Sequence, residues 1–242
     1  MRPLRLHSLE TLGALDGPGL RTVVFLQGCR LRCRFCHNPD SWDPHAGTPS
    51  DTDAIMARLR RMKPYFRNGG GVTFSGGDPL CQPEPLEELL DRCRDEGIHT
   101  AIDTSGAFWS ERLQRITAKA SMLLLDIKAT SPETFRQTTG LDAFHHLLHI
   151  LDYLRQSRQP TWLRMVVAEN LNTSPAELEA LVELLRDVPF QRFDVLPYHQ
   201  GARDKYAALG LPFDDALIPP SDTLLQTVRE FISSRLGRES IE

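Results

Sequence analysis

The chain has no apolar run long enough to cross a bilayer. A spanning helix needs about 20 apolar residues, and the longest runs here are short stretches such as Met122–Leu125 and Val23–Leu26. The first twenty residues also lack the apolar segment of a secretory signal, being broken by Arg2, Arg5, Glu10 and Asp16, so the chain reads as cytoplasmic. There is no excess of either charge: a net charge of −4 and a pI near 6.1 give no electrostatic reason to bind nucleic acid or an anionic membrane. No stretch rich in Pro, Gly or Ser divides the sequence, which makes one domain the expectation. Cysteine is scarce and odd in number: there are five, three of them within eight residues. That is a poor disulfide framework, and in a reducing compartment such clustering points to a metal site.

What is present is an ordinary globular composition, 242 residues with 40% apolar and 25% charged, enough for a sizeable core. Short apolar runs alternate with helical spacing. Strands are expected at 22–26, 72–75, 100–103, 123–127, 163–167 and 193–197. Helices are expected at 53–65, 85–96, 110–118, 144–156, 175–186 and 222–236, with Asp51, Ser110 and Ser174 as caps. Strand–helix alternation demands parallel pairing, in a doubly wound sheet or a barrel. Six units favour an α/β partial (β/α)6 TIM-like barrel with an N-terminal extension and a C-terminal covering helix. In either architecture chemistry gathers at the carboxyl ends of the strands. Those ends are polar here: Gln27-Gly28-Cys29, Ser75-Gly76-Gly77-Asp78, Asp103-Thr104-Ser105-Gly106, Asp126-Ile127-Lys128 and Tyr198-His199.

The strongest signal is Cys29-Arg30-Leu31-Arg32-Cys33-Arg34-Phe35-Cys36, directly after the first expected strand. Three thiolates on one tight loop can hold three corners of a [4Fe-4S] cubane and leave the fourth iron open. Structural zinc would want a fourth ligand at matching spacing, and His37 is too close to Cys36 to complete a tetrahedron. Four motifs in order, Asp16-Gly-Pro-Gly-Leu-Arg21, Gln27-Gly-Cys-x3-Cys-x2-Cys-His-Asn38, Gly69-Gly-Gly-Val-Thr-Phe-Ser-Gly-Gly77 and Leu196-Pro-Tyr-His199, run through nearly the whole chain. Together they resemble the radical S-adenosylmethionine superfamily, and within it the glycyl radical enzyme activating enzymes, most of all those acting on pyruvate formate-lyase.

The resemblance implies a radical SAM core and one cluster held by Cys29, Cys33 and Cys36. Relatives with further clusters carry a cysteine-rich ferredoxin-like insert, whereas residues 38–68 contain no cysteine. Cys81 and Cys93 are expected as non-ligands. Gly76 and Gly77 would let backbone approach the cofactor, although a Gly-Gly pair is also an ordinary tight turn. The Asp78 carboxylate would accept from the cofactor ammonium, in a place where relatives usually carry Glu. Asp103 and Asp126, with the backbone at Thr104 and Leu124, would hold a monovalent cation and cofactor polar groups. Lys128, then Arg164, would pair with the cofactor carboxylate, against the plainer reading of a solvated Asp126–Lys128 pair. Phe35, His37 and His199 would touch adenine. Arg30, Arg32 and Arg34 would dock an acidic flavodoxin or ferredoxin, or form an ordinary solvated loop.

By the same resemblance, reductive cleavage of S-adenosylmethionine would yield a 5′-deoxyadenosyl radical that takes hydrogen from a backbone glycine of a partner, pyruvate formate-lyase or a relative. Asp16, Gly17, Pro18, Gly19 and Arg21 would form the partner-docking face together with the rim loops. The protein is expected to be a monomer without nucleic-acid or membrane partners. The alternatives are a radical enzyme acting on a small molecule, a non-catalytic iron-sulfur carrier, and a zinc-stabilised binding module.

Overall fold

The computed structural model describes residues 4–238 and 241–242. Their contacts sort into two compact units, Met1–Arg30 with Ser41–Leu125, and Leu31–Asp40 with Asp126–Glu242.

The first unit opens with β1 (Leu4–Gly13), which pairs antiparallel with β2 (Arg21–Leu26) and with β3 (Thr48–Ser50). Then come α1 (Thr52–Met62), β4 (Gly71–Gly76), α2 (Pro83–Asp95), β5 (His99–Thr104), α3 (Glu111–Thr117) and β6 (Met122–Asp126). The strands lie in the order β3-β1-β2-β4-β5-β6 and are parallel from β2 onward. β2, β4 and β6 are buried almost end to end, as parallel strands covered on both faces must be. Val23, Val24, Phe74, Ile102 and Leu124 form the sheet side of the core, and Met56, Leu59, Leu86, Leu89 and Leu90 the helix side. Asp51 and Ser110 cap α1 and α3, accepting from Ala54 N (2.6 Å) and Leu113 N (3.3 Å).

The second unit contains α4 (Pro132–Thr139), α5 (Phe144–Ser157), β7 (Thr161–Val167), α6 (Pro175–Leu185), β8 (Arg192–Pro197), α7 (Arg203–Ala208) and α8 (Asp222–Leu236). β7 and β8 pair in parallel from Trp162↔Arg192 to Val167↔Pro197. Ser174 caps α6 through Glu177 N at 3.3 Å, and α8, the expected covering helix, packs on α6 and β8.

All six expected strands are present, displaced at their ends by no more than two residues. β1, β3, α4 and α7 were not anticipated. β1 is a half-exposed strand whose apolar alternation is broken by register irregularities between Leu6 and Ser8 and between Glu10 and Gly13, so no clean period of two survives in the sequence. α4 carries little apolar residue beyond Phe135, and its signal lies in its ends instead. Ser131 and Thr134 form a reciprocal capping box, Pro132 occupies the first turn, and Gly140 closes the helix at φ 72°.

Arg21 corrects one expectation. Its side chain is 1% exposed and tied inward, with Nε donating to Thr73 Oγ1 (2.6 Å), NH2 to Val72 O (2.7 Å) and NH1 to Pro18 O and Gly69 O (3.1 Å each). Burial pushes the guanidinium down to about 10, with the Asp16 carboxylate pulling the other way. Arg21 is therefore an internal brace rather than a docking residue. The turn it closes sits at the amino ends of β2 and β4, whereas the first unit's rim loops leave the carboxyl ends of the same strands. The two therefore do not form a single face.

Candidate active site

In the first unit the polar strand ends meet through backbone. Gly28 N donates to Ser41 O (2.7 Å), Cys29 N to Trp42 O (3.1 Å), and Asp78 N to Gly28 O (2.9 Å), which locks the end of β2 to the turn after β4. Gly76 (φ 117°) and Gly77 are required by this packing: a Cβ there would lie 2.1 Å from Leu26 O and 2.3 Å from Gly28 O. The close approach that these glycines permit is made, in the first instance, by the chain's own backbone.

Asp78 corrects a second expectation. It is 1% exposed, and its carboxylate is turned inward. Oδ2 accepts from Ser105 Oγ (2.7 Å), Ser105 N (3.1 Å) and Thr104 Oγ1 (3.0 Å), and Oδ1 accepts from Leu80 N (3.1 Å) and Thr104 Oγ1 (3.1 Å). These donors fill the roughly four acceptor sites of a carboxylate, so none is left to reach out for an ammonium. Asp78 positions the 78–80 turn against the end of β5. Burial raises its carboxyl above the ordinary range, and the hydrogen bonds from Ser105, Leu80 and Thr104 oppose the rise.

Asp78→Ala would leave two buried N–H groups, those of Ser105 and Leu80, without acceptors. At a net cost of about 2 kcal/mol, thermal unfolding should fall by roughly 4–8 °C in a chain of this size. Because the folded carboxyl titrates above its unfolded value, its stabilising contribution is largest at low pH and fades as pH rises through the folded value. The gap between wild type and variant should therefore be widest below the ordinary carboxylate range and narrow as pH rises through the folded value, as followed by circular dichroism melts.

Beside Asp78, Asp103 accepts from Ser75 Oγ at 2.6 Å and stands opposite Leu124 in the β5/β6 ladder, with Thr104 opposite Leu125. The Cys81 thiol, half-buried near the Asp78 carboxylate, is pushed up to about 12 by burial and then by that charge. Cys93 lies in the core against Met56, Sγ to Sδ 3.8 Å, its thiol likewise raised by burial.

In the second unit the cysteine-bearing segment is pinned to the end of α4: Arg32 N donates to Thr139 O (2.8 Å), Arg34 N to Thr138 O (2.9 Å), and Cys36 N closes a turn onto Cys33 O (3.0 Å). The helix thereby finds partners for carbonyls that its own last turn leaves over. Sequence reasoning missed two further tethers, Arg34 Nε to Asp214 Oδ2 (2.6 Å) and Lys205 Nζ to Asn38 Oδ1 (2.8 Å) and Asp40 Oδ1 (3.3 Å). His37 stacks on His199, ring centres 3.8 Å apart, and its Nε2–H donates to His199 O at 2.9 Å; Tyr198 lies behind, nearly parallel at 6.2 Å. Burial lowers the pKa of His37 and keeps the ring neutral.

Lys128 and Arg164 both reach Asp126, with Lys128 Nζ donating to Oδ2 (2.8 Å) and Arg164 Nε to Oδ1 (3.1 Å). Lys128 Nζ also stands 5.3 Å from the centre of the Phe35 ring. Burial would raise the Asp126 carboxyl, but the Arg164 and Lys128 charges outweigh it and hold it below the usual range. Burial pushes the Cys33 thiol up to about 12, with the Lys128 charge pulling it back.

None of the five cysteines is joined in a disulfide. Among the described residues no three His, Cys, Asp or Glu side chains converge on a point that could hold one metal ion. A cubane sets no such requirement, since each thiolate binds a different iron. By its chemistry the donor set, three soft sulfur ligands within eight residues of sequence, fits an iron-sulfur cluster.

Residues 15–135 match the family model of a 4Fe-4S single cluster domain. The pyruvate formate-lyase-activating enzyme of Clostridium pasteurianum is 39% identical over 213 residues, covering 86% of this chain and 88% of that one. A solved domain of the corresponding enzyme from Bacteroides vulgatus superposes with a TM-score of 0.59 at 25% identity, over 72% of this chain and 99% of that one. Streptococcus suis SuiB bound to its precursor peptide SuiA superposes with a TM-score of 0.68 at 17% identity, over 90% of this chain and 47% of SuiB, a likeness that bears on the fold alone.

Proposed function

Since the chain belongs to the pyruvate formate-lyase-activating enzymes of the radical S-adenosylmethionine superfamily, we propose how its own residues carry out the activation of a glycyl radical enzyme. The fold is the partial (β/α)6 barrel of that superfamily, and the cofactors are a [4Fe-4S] cluster and S-adenosylmethionine. When bound, the reduced cluster supplies the electron that cleaves S-adenosylmethionine to methionine and the 5′-deoxyadenosyl radical, which takes a hydrogen atom from a backbone glycine of the partner.

Cys29, Cys33 and Cys36 hold the cluster. The observation that carries this assignment is the pinning of Arg32 N and Arg34 N to α4, which fixes the backbone on both sides of Cys33 before any metal arrives. Lys128 and Arg164, oriented by the carboxylate they share, pair with the cofactor carboxylate. Phe35, His37 and His199 would touch adenine, with the His37 ring stacked on that of His199. Asp103, Thr104 and the Leu124 backbone serve the cation and cofactor side, with Gly76 and Gly77 shaping the turn beside them. No residue need act as a general base, so the protein's work is to orient and to exclude water.

The partner is pyruvate formate-lyase or a relative. A groove of about 800 Å³ beside the Gly17-Pro18-Gly19 turn, lined by Ala14, Leu20, Pro64, Tyr65 and Arg67, with Leu15 85% exposed nearby, offers the partner a further docking surface apart from the rim where the hydrogen atom is taken. The electron donor is an acidic flavodoxin or ferredoxin meeting Arg30 and Arg32. Among the described residues no helix is long and apolar enough to cross a membrane, and a single-domain monomer working in the cytoplasm completes the reading.

The test is anaerobic. Reconstituted protein, reductant and S-adenosylmethionine are mixed with pyruvate formate-lyase, and the sample is read by electron paramagnetic resonance. A glycyl radical doublet that requires all three components is expected. Cofactor cleavage without a doublet on any glycyl radical partner would point to a small-molecule substrate instead.

A further inference from the structure

One histidine cluster is left unused by the reaction. α5 begins Phe144-His-His-Leu-Leu-His149, so three of the chain's eight histidines fall within five residues. Leu147, Ile150, Leu151 and Leu154 bury the inner face of the helix, which turns His145 and His149 to solvent on the outer one. Residues four apart on a helix have Cβ atoms about 5–6 Å apart, and the two ring centres stand 6.2 Å apart with their planes at 81°. An imidazole nitrogen binds a transition ion at about 2.0–2.1 Å, which puts the ring centre roughly 3.2 Å from the metal and two rings on one ion no more than about 6.4 Å apart. That limit is the linear arrangement; at the tetrahedral or square-planar angles these ions take, the centres stand roughly 4.5–5.2 Å apart, a closure of about 1 Å or more that the two exposed side chains make by rotating toward each other.

The surroundings favour a cation. Asp152 stands three residues after His149 on the exposed face of α5, and Asp142 is exposed in the segment just before the helix begins. Asp152 also pairs with Arg155 Nη1 at 2.7 Å. Neutral imidazole is the ligand form. Among the described residues no third side chain joins as a direct donor, so water completes the coordination.

We propose that His145 and His149 form a surface site for one divalent transition ion of the nickel, copper or zinc class, with the two aspartates contributing through the field and through bound water. The site is independent of the cluster cysteines and of the glycyl radical reaction. By the Irving–Williams order it prefers these ions to ferrous iron, so it does not retain the iron needed for cluster assembly.

The experiment uses untagged full-length protein with its cluster loaded, so that the ligand thiols are occupied, and NiCl2 as the only probe. Nickel per chain is measured by equilibrium dialysis, and thermal unfolding is followed with and without the ion. Wild type should take up one ion and melt higher with it, because an ion held across one helical turn stabilises the folded state. His149→Gln and His145→Gln should each weaken uptake at least tenfold and erase the shift, while His146→Gln keeps both. Equal uptake by wild type and the His145→Gln/His149→Gln double variant, or loss of binding in His146→Gln alone, overturns the proposal. The exposed positions make misfolding a poor explanation for lost binding, and unchanged far-ultraviolet dichroism of each variant checks this.

Discussion

Replacing Cys33 with alanine is expected to leave the apoprotein folded and to abolish both iron incorporation and 5′-deoxyadenosine formation. Cys33 is 8% exposed, and burial keeps its thiol protonated until metal arrives. Without iron it is a small apolar side chain in a loop already fixed by the Arg32 and Arg34 backbone bonds. Losing one sulfur there should cost about 1 kcal/mol, a shift of roughly 2–4 °C in a protein of this size. The chemistry cannot be spared in the same way, because two thiolates hold two corners of a cubane. Iron per chain and the broad visible absorbance should fall to the blank, and product with them. Cys93→Ala gives the converse control: its thiol packs on Met56 in the core, so stability should drop while iron and turnover per folded molecule persist. If Cys93→Ala emptied the cluster and Cys33→Ala did not, the ligand assignment would be wrong.

The contrast between these cysteines was legible in the sequence, since spacing separates clustered thiols from isolated ones. The six parallel strands were legible for a related reason: strands covered on both faces must be nearly all apolar, and Val23–Leu26, Val72–Phe74 and Met122–Leu125 are. β1 was not, because register breaks shift its buried residues off a period of two. α4 was not, because it has almost no apolar spacing and its signature sits in its ends, at Ser131, Pro132, Thr134 and Gly140. The hardest cases were Arg21 and Asp78, charged residues in motifs that looked outward. Nothing local tells a charge aimed at a ligand from one consumed inside. What decides it is the set of facing donors and acceptors, Thr73, Val72 and Gly69 around Arg21, Thr104 and Ser105 around Asp78, which come from distant strands.

Asp126→Asn tests the charge arrangement most severely. In the wild type one carboxylate faces two cations, and all three side chains are largely withdrawn from water. Neutralising it leaves Lys128 and Arg164 confronting each other beside Phe35, and breaking a largely buried ion pair from one side costs about 3 kcal/mol or more. The pH dependence carries the signature. The Asp126 carboxyl is held below its unfolded value, so its stabilisation is complete above the ordinary carboxylate range and is lost as pH falls through the folded value. For Lys128 burial acts to lower the ammonium pKa, but the Asp126 carboxylate leads the charges that outweigh it and raise it; that contribution is therefore complete below the ordinary lysine range and is lost as pH rises through the folded value. Denaturant unfolding should thus separate wild type and variant most widely near pH 7 and bring them together toward pH 3. With the shared anchor gone, Lys128 and Arg164 also lose their orientation toward a carboxylate ligand, and the concentration of S-adenosylmethionine needed for half-maximal cleavage should rise at least tenfold. A variant as stable as wild type at pH 7, with the same acid limb and the same cofactor requirement, would mean that the three side chains are a solvated surface cluster with no part in holding the cofactor.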